Sequence, residues 1–210
     1  MKEVTQALAF IASKHRHTGL DPVNQPFIHH PVLVLNELVQ ANITDTATLV
    51  AGVLHDILQK SDTTIDEIEN LFGLDVAQLV TELYYDPNLQ GDELQLLLLD
   101  RQVDLSDQAQ QIVIADLIAN INDICDEGTS KDNHELRVAF ANALLAETPE
   151  PHDELTAKFK QLIADVCVQN NINQEQSYWA RMSESDRQEL IERLSKEVTE
   201  LEEELGDDAV

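Results

Sequence analysis

The chain has 210 residues, 43% hydrophobic and 25% charged, a composition that suits one folded domain, or one domain with an appendage, and excludes wholesale disorder. Forty Asp and Glu against thirteen Lys and Arg leave a net charge of −27, and the richest basic spot is only Lys14-His15-Arg16-His17. Such a surface repels duplex DNA and anionic membranes, so neither is expected as a partner.

Two cysteines, Cys125 and Cys167, cannot build a disulfide framework, and the opening residues show no leader pattern. Both features predict a cytoplasmic location. The longest strongly apolar run, Leu96 to Leu99, is far too short to span a bilayer.

The elements read as helices almost throughout. Val4, Leu8, Ile11 and Ala12 recur at helical spacing. Pro31 suits the first turn of a second helix, which buries Val32, Leu35, Leu38 and Val39. Thr44 or Asp45 caps a third, whose Leu49, Val50, Val53, Leu54, Ile57 and Leu58 make it apolar on most sides and therefore central. Thr64 with Glu67 forms a capping box, and Gly73 reads as a helix stop. A short helix covers Asp75 to Tyr84, a loop Pro87 to Asp92, and an apolar stretch Glu93 to Leu99. Ser106 or Asp107 starts a buried helix that Gly128 ends. Amphipathic segments follow at Asp132 to Ala146 and His152 to Val168, with Thr148-Pro149-Glu150-Pro151 as a linker between them.

No strand alternation is present, so the fold class is all-α. The division is a helical domain over 1–150 and a C-terminal helical extension over 151–210 that ends in an acidic helix. In that last helix Leu190, Leu194, Val198, Leu201 and Leu205 line one stripe, which either packs on its own domain or joins a second copy.

Two segments that look buried carry charge in mid-run: Leu54-His55-Asp56-Ile57 and Ala115-Asp116-Leu117. A lone carboxylate there is costly, so it should be paired, protonated or metal-bound. Adjacent residues project about 100° apart on a helix, and His55 and Asp56 can still converge on one ion. His30 precedes the helix-opening Pro31. His30, His55, Asp56 and Asp116 thus make a mixed nitrogen and oxygen set suited to Mn²⁺, Fe²⁺ or Zn²⁺.

The order of these pieces resembles the HD-domain metallohydrolases, and within them the hydrolase domain of RelA/SpoT proteins and the small MESH-type alarmone hydrolases. The matching stretches are Ala12-Ser13-Lys14-His15-Arg16, Pro26-Phe27-Ile28-His29-His30-Pro31, Leu54-His55-Asp56, Thr63-Thr64-Ile65-Asp66-Glu67, Phe72-Gly73 and Ala115-Asp116-Leu117-Ile118-Ala119-Asn120. The resemblance implies an HD-type helical bundle. It implies a Mn²⁺-dependent hydrolase that removes the 3′-pyrophosphate from guanosine polyphosphates. The implied ligands are His30, His55, Asp56 and Asp116. Asn120 is implied in the active site, and Lys14 and His15 beside the nucleotide.

The departures are equally specific. Where the family has a Glu-Asp pair after the His-Asp pair, this chain has Gln59 and Lys60. Glutamine can orient a water but cannot take its proton near neutral pH. The arginine that usually precedes Lys14 is Ser13, and the family's lysine after the last metal aspartate is Leu117. The family's basic stretch reads Gln90 to Asp100 with no Lys or Arg until Arg101. The metal set is retained and the cations that offset phosphate charge are depleted. Two readings follow: a phosphohydrolase with Gln59 as water orienter and a shifted substrate, or an inactive metal-holding module that senses nucleotide or binds a protein.

Overall fold

The computed structural model describes residues 2–14, 28–89, 91–126, 131–148 and 153–172. Among the described residues the chain is helical: α1 Lys2–Lys14, α2 His29–Gln40, α3 Thr46–Leu54, α4 Ile57–Lys60, α5 Ile65–Phe72, α6 Leu74–Leu83, α7 Gly91–Arg101, α8 Asp107–Asp126, α9 Lys131–Glu147 and α10 Asp153–Asn170. The all-α expectation holds.

Helix α3 is the pivot. Every residue from Thr48 to Leu54 is buried, as its all-round apolar pattern demands. Helices α1, α2 and α6 pack on it, and α2 also packs along α8. Fully buried Leu38, Leu54, Ile112 and Ile118 anchor that junction, each contributing about 2 kcal/mol of burial. Helix α10 lies on α8 and α9, and its Leu155, Phe159, Ile163 and Val166 enter the same core. Lys158 on α10 also donates to the buried Glu37 of α2. The Leu190 to Leu205 stripe and the acidic tail lie outside the described residues.

A smaller cluster is built by α7 and α9 from Leu96, Leu97, Leu99, Phe140 and Leu144, with Leu98, Leu117 and Tyr85 packed against it. Arg101 ties this layer down. Its guanidinium donates to the carbonyls of Tyr84 at 2.6 Å and Glu82 at 3.0 Å, so the end of α7 closes the end of α6. Carbonyls in a helix's last turn lack intrahelical partners, which is why a cation there is stabilising.

The caps behave as local chemistry dictates. Asp45 accepts from the Thr48 backbone N–H at 2.8 Å and the Thr48 hydroxyl at 2.6 Å. Thr64 accepts from Glu67 N–H at 3.2 Å, and Gly73 closes α5 at φ +93°, a left-handed value that glycine adopts without strain. The Thr48 hydroxyl, then its N–H, hold the Asp45 carboxyl below the usual carboxylate range against a smaller opposing effect of burial. Its share of stability is therefore complete above the ordinary carboxylate range and is lost as pH falls through the lowered value. Asp45→Ala should cost about 1 kcal/mol at neutral pH, and the gap from wild type should close in acid denaturation series.

The second helix buries Val34, Glu37 and Leu38, whereas Val32 and Val39, expected in the core, are exposed. Two further features depart from the sequence expectation. The third helix does not run through to Leu58. It ends at Leu54 and restarts at Ile57, with Asp56 at φ −113° and ψ 9° between the two. His55 and Asp56 therefore sit on a break, not on one continuous helical surface. Second, α2 begins at His29, two residues before Pro31, so His30 is in its first turn.

At Gly52, α2 and α3 approach closely. A Cβ there would overlap the Leu38 Cδ1 methyl, and Leu38 has no exposed side on which to swing away. Gly52→Ala should destabilise the fold by about 1–3 kcal/mol, read as a lower urea midpoint with unchanged slope.

Candidate metal centre

Six helices line one cavity of about 520 Å³. From the first turn of α2 comes His30, from the α3–α4 break come His55 and Asp56, and from mid-α8 come Asp116 and Asn120. Gln59 and Lys60 line it from α4, Tyr85 from the loop after α6, and Arg137 from α9.

Asp116 is the hub. Its Oδ1 lies 2.8 Å from His30 Nε2 and 3.6 Å from His55 Nε2, and it accepts from Asn120 Nδ2 at 2.8 Å. Asn120 is one turn beyond Asp116, so the i, i+4 spacing places its amide on the carboxylate. The imidazoles of His30 and His55 meet edge to face, with centroids 5.2 Å apart. Ligand atoms of His30, His55 and Asp116 all lie within 4.8 Å of one another, a spread that one ion can draw together.

The chemistry of the donors fits a cation. His55 Nδ1–H donates to the Gly52 carbonyl at 2.9 Å. That bond fixes the tautomer and leaves Nε2 as a lone-pair donor toward the cluster. Burial pushes the Asp116 carboxyl up, but the His30 hydrogen bond, the charges of His55 and His30 and the Asn120 amide outweigh it and hold the group below the usual carboxylate range. Asp116 is thus ionised and ready to bind a cation. Asp56 stands outside the three-residue cluster, yet its Oδ1 is buried with no hydrogen-bond partner. An orphaned carboxylate oxygen is expensive unless something positive meets it, so Asp56 could supply a fourth donor to this set.

The expected catalytic and substrate residues divide. Gln59 lines the cavity with both amide atoms buried and unpartnered, and Asn120 reaches it as well. Lys14 does not line it. Its ammonium donates to Glu67 at 2.9 Å and Asp62 at 3.4 Å, and stands 5.4 Å over the Phe10 ring. His15 lies outside the described residues.

Sequence reading passed over Arg137 and Gln95. Arg137 lines the cavity from α9, and partial burial pulls its guanidinium down while the Asp116 charge opposes it. Burial, then the charges of Asp116 and Asp56, push the Tyr85 hydroxyl up, so it too faces the donor set. The one available cue was that Arg137 precedes Val138-Ala139-Phe140-Ala141, an apolar run where a cation needs a reason.

Comparison with known proteins agrees with this geometry. The family model described as HD domain matches residues 7–124. The chain belongs to the HD-domain family. Human MESH1, a guanosine-3′,5′-bis(diphosphate) 3′-pyrophosphohydrolase, is 36% identical to this HD-domain chain over 124 residues, covering 58% of the chain and 69% of MESH1. The Aquifex aeolicus guanosine-3′,5′-bis(diphosphate) 3′-pyrophosphohydrolase is 39% identical over 83 residues, covering 38% of the chain and 11% of that protein. A solved structure described as a metazoan ortholog of SpoT that hydrolyzes ppGpp superposes with a TM-score of 0.71 at 27% identity, over 79% of this chain and 96% of that one. The resemblance to MESH-type hydrolases therefore holds, and with it the HD fold, the use of a divalent metal and the character of a metal-dependent phosphohydrolase. The alternative of an inactive module is not favoured, since these relatives are named as hydrolases.

Proposed function

We propose that this HD-domain chain hydrolyses a phosphorylated nucleotide in the cytoplasm, with His30, His55, Asp56 and Asp116 holding a divalent ion, Mn²⁺ foremost. Convergence of His30, His55 and Asp116 on one point of the cavity carries the reading. The substrate named for the relatives, guanosine 3′,5′-bis(diphosphate), is the first to test. When bound, the ion supplies a Lewis acid that polarises a phosphoryl oxygen and lowers the pKa of a water.

The chain's own residues do the rest. Asn120 holds Asp116 in position through its amide. Gln59 orients the attacking water; its two buried amide atoms have no other partner, so they can both donate to and accept from it. Lys60 and Arg137 meet the phosphate's charge from α4 and α9. Lys14 and His15 belong to the nucleotide side in the family pattern, and Lys14 reaches a substrate only by leaving Glu67 and Asp62. The 1–150 region would act as the catalytic unit. In the 151–210 extension the Leu190 to Leu205 stripe would serve self-association.

The test is phosphate or pyrophosphate release from guanosine 3′,5′-bis(diphosphate) and simpler nucleotides by Mn²⁺-loaded protein, with metal content measured alongside. Metal-dependent release is expected. Absence of release from every nucleotide, at one equivalent of bound metal, would sink the reading and restore the sensing-module alternative suggested by Gln59 and Lys60.

A further inference from the structure

Helix α7 carries none of the four metal-donor candidates, yet it lines the cavity with Leu94, Gln95 and Leu98. Leu117 on α8 and Phe140 on α9 continue that wall, and both pack in the apolar cluster that α7 and α9 build. A buried acceptor interrupts it. The side-chain oxygen of Gln95, beside Leu94 and one turn before Leu98, is buried and has no hydrogen-bond partner among the described residues. Arg137 lines the cavity from α9 as well, three residues before Phe140. Its guanidinium can bind a phosphate or lie flat on a ring, and the demand made by Gln95 is the same in both cases.

An amide oxygen only accepts, so the group that satisfies it must bring a hydrogen. An ionised phosphoryl oxygen is itself an acceptor and is repelled, whatever cations stand elsewhere in the cavity. A sugar brings several hydroxyls, and those facing leucine and phenylalanine would lose their water unpaired. A nucleobase brings an N–H on its edge and an uncharged flat ring, which leucine and phenylalanine side chains suit. Leaving such an acceptor unpaired weakens the binding of any analogue without the donor, so one buried amide discriminates between ligands of equal size.

We infer that Gln95 is a specificity-determining residue: its side-chain oxygen accepts a hydrogen bond from a base N–H of the nucleotide, with the ring against Leu94, Leu98 and Phe140. The inference deepens the phosphohydrolase reading above and rests on it for the nucleotide; it leaves the number and placement of the phosphates open. The base takes no part in breaking a bond to phosphorus, so the contact is equal in ground and transition states and Gln95 sets KM more than kcat.

The test is calorimetry on the full chain loaded with Mn²⁺. The probes are the 5′-(methylene)diphosphates of guanosine, adenosine and purine riboside, whose bridging CH₂ resists cleavage. All have the same sugar and phosphates, and purine riboside has no base N–H. Wild type should bind the guanosine or the adenosine probe about tenfold tighter than the purine riboside probe. Gln95→Met, close in shape but without the acceptor, should bind donor-bearing and donor-free probes alike. Gln95→Glu keeps an acceptor and should keep the preference, since its added charge acts equally on every probe and cancels in the ratio. If Gln95→Met fails to fold, the wild-type ratio and Gln95→Glu still decide. Equal binding of all probes by wild type, no binding of any, or a preference that survives in Gln95→Met would overturn the inference. So would a preference lost in Gln95→Glu, which would show that the amide N–H faces the ligand. Metal-dependent turnover alongside any of those results would leave the phosphohydrolase reading intact. The predicted ratios with no turnover of any nucleotide would overturn that reading instead and leave Gln95 as the base contact of a nucleotide-binding module.

Discussion

Asp116→Ala should strip the protein of its divalent metal and lower kcat/KM by more than about a hundredfold, the upper end of what losing only an outer-shell partner costs. Three groups depend on this one carboxylate: His30 Nε2 at 2.8 Å, Asn120 Nδ2 at 2.8 Å and His55 Nε2 at 3.6 Å. Its removal leaves two imidazoles facing each other without the charge that draws a cation between them. The fold should survive, because Asp116 lies on the cavity while its neighbours Ala115 and Ile118 carry the packing of α8. Elemental analysis after gel filtration, paired with a thermal melt with and without Mn²⁺, checks both halves. Wild type should gain about 2.7 kcal/mol at a metal concentration a hundred times its Kd, and the variant nothing. A variant that still holds one equivalent of metal would remove Asp116 from the ligand set.

Gln59→Glu should raise kcat by about a hundredfold, the lower end of what a positioned general base supplies. Gln59 lines the cavity three residues beyond Asp56, with both amide atoms buried and free of partners. A carboxylate of nearly the same shape fits without repacking and can accept the proton that an amide cannot. The exposed Lys60 beside it offers the new carboxylate a counter-charge. The gain should appear in kcat, with KM little changed, and should rise with pH through the new group's titration. Unchanged or reduced kcat at full metal occupancy would show that the amide N–H, not a missing base, matters at this position.

Much of the fold was written in local chemistry. Thr64 before Glu67, Asp45 before Thr48 and Gly73 after Phe72 set helix ends through hydrogen bonds that span three or four residues, so they could be read directly. The four metal-ligand candidates were legible for a related reason. A carboxylate or imidazole amid Val, Leu and Ile needs a partner, whatever the partner proves to be. Family resemblance supplied their order, and Asp116 to Asn120 needed only helical spacing.

The break between α3 and α4 was not legible. Neither glycine nor proline marks His55-Asp56, and the apolar pattern continues through Ile57 and Leu58 as if the helix did too. Lys14 shows the same limit. Its partners Asp62 and Glu67 lie 48 and 53 residues away, in the loop before α5 and in α5, which only folding brings next to Lys14. Arg137 and Gln95 reach the cavity from α9 and α7, elements whose apolar residues do not show which neighbour they face.

By itself, then, the sequence determined helix content, caps, the excess of acid and which side chains are candidates to bind a metal, because each depends on residue type or on contacts a few positions apart. Tertiary structure alone decided that His30, His55 and Asp116 converge, that Asp56 and Gln59 point unpaired polar atoms into the same region, and that leucines of α7 and α8 line the space beside them. The physical reason is distance along the chain. His30 and Asp116 are 86 residues apart, and their 2.8 Å contact exists only because α2 packs along α8 to bury Leu38, Ile114 and Ile118. The hydrophobic core sets that approach, and the chemistry of the site depends on it.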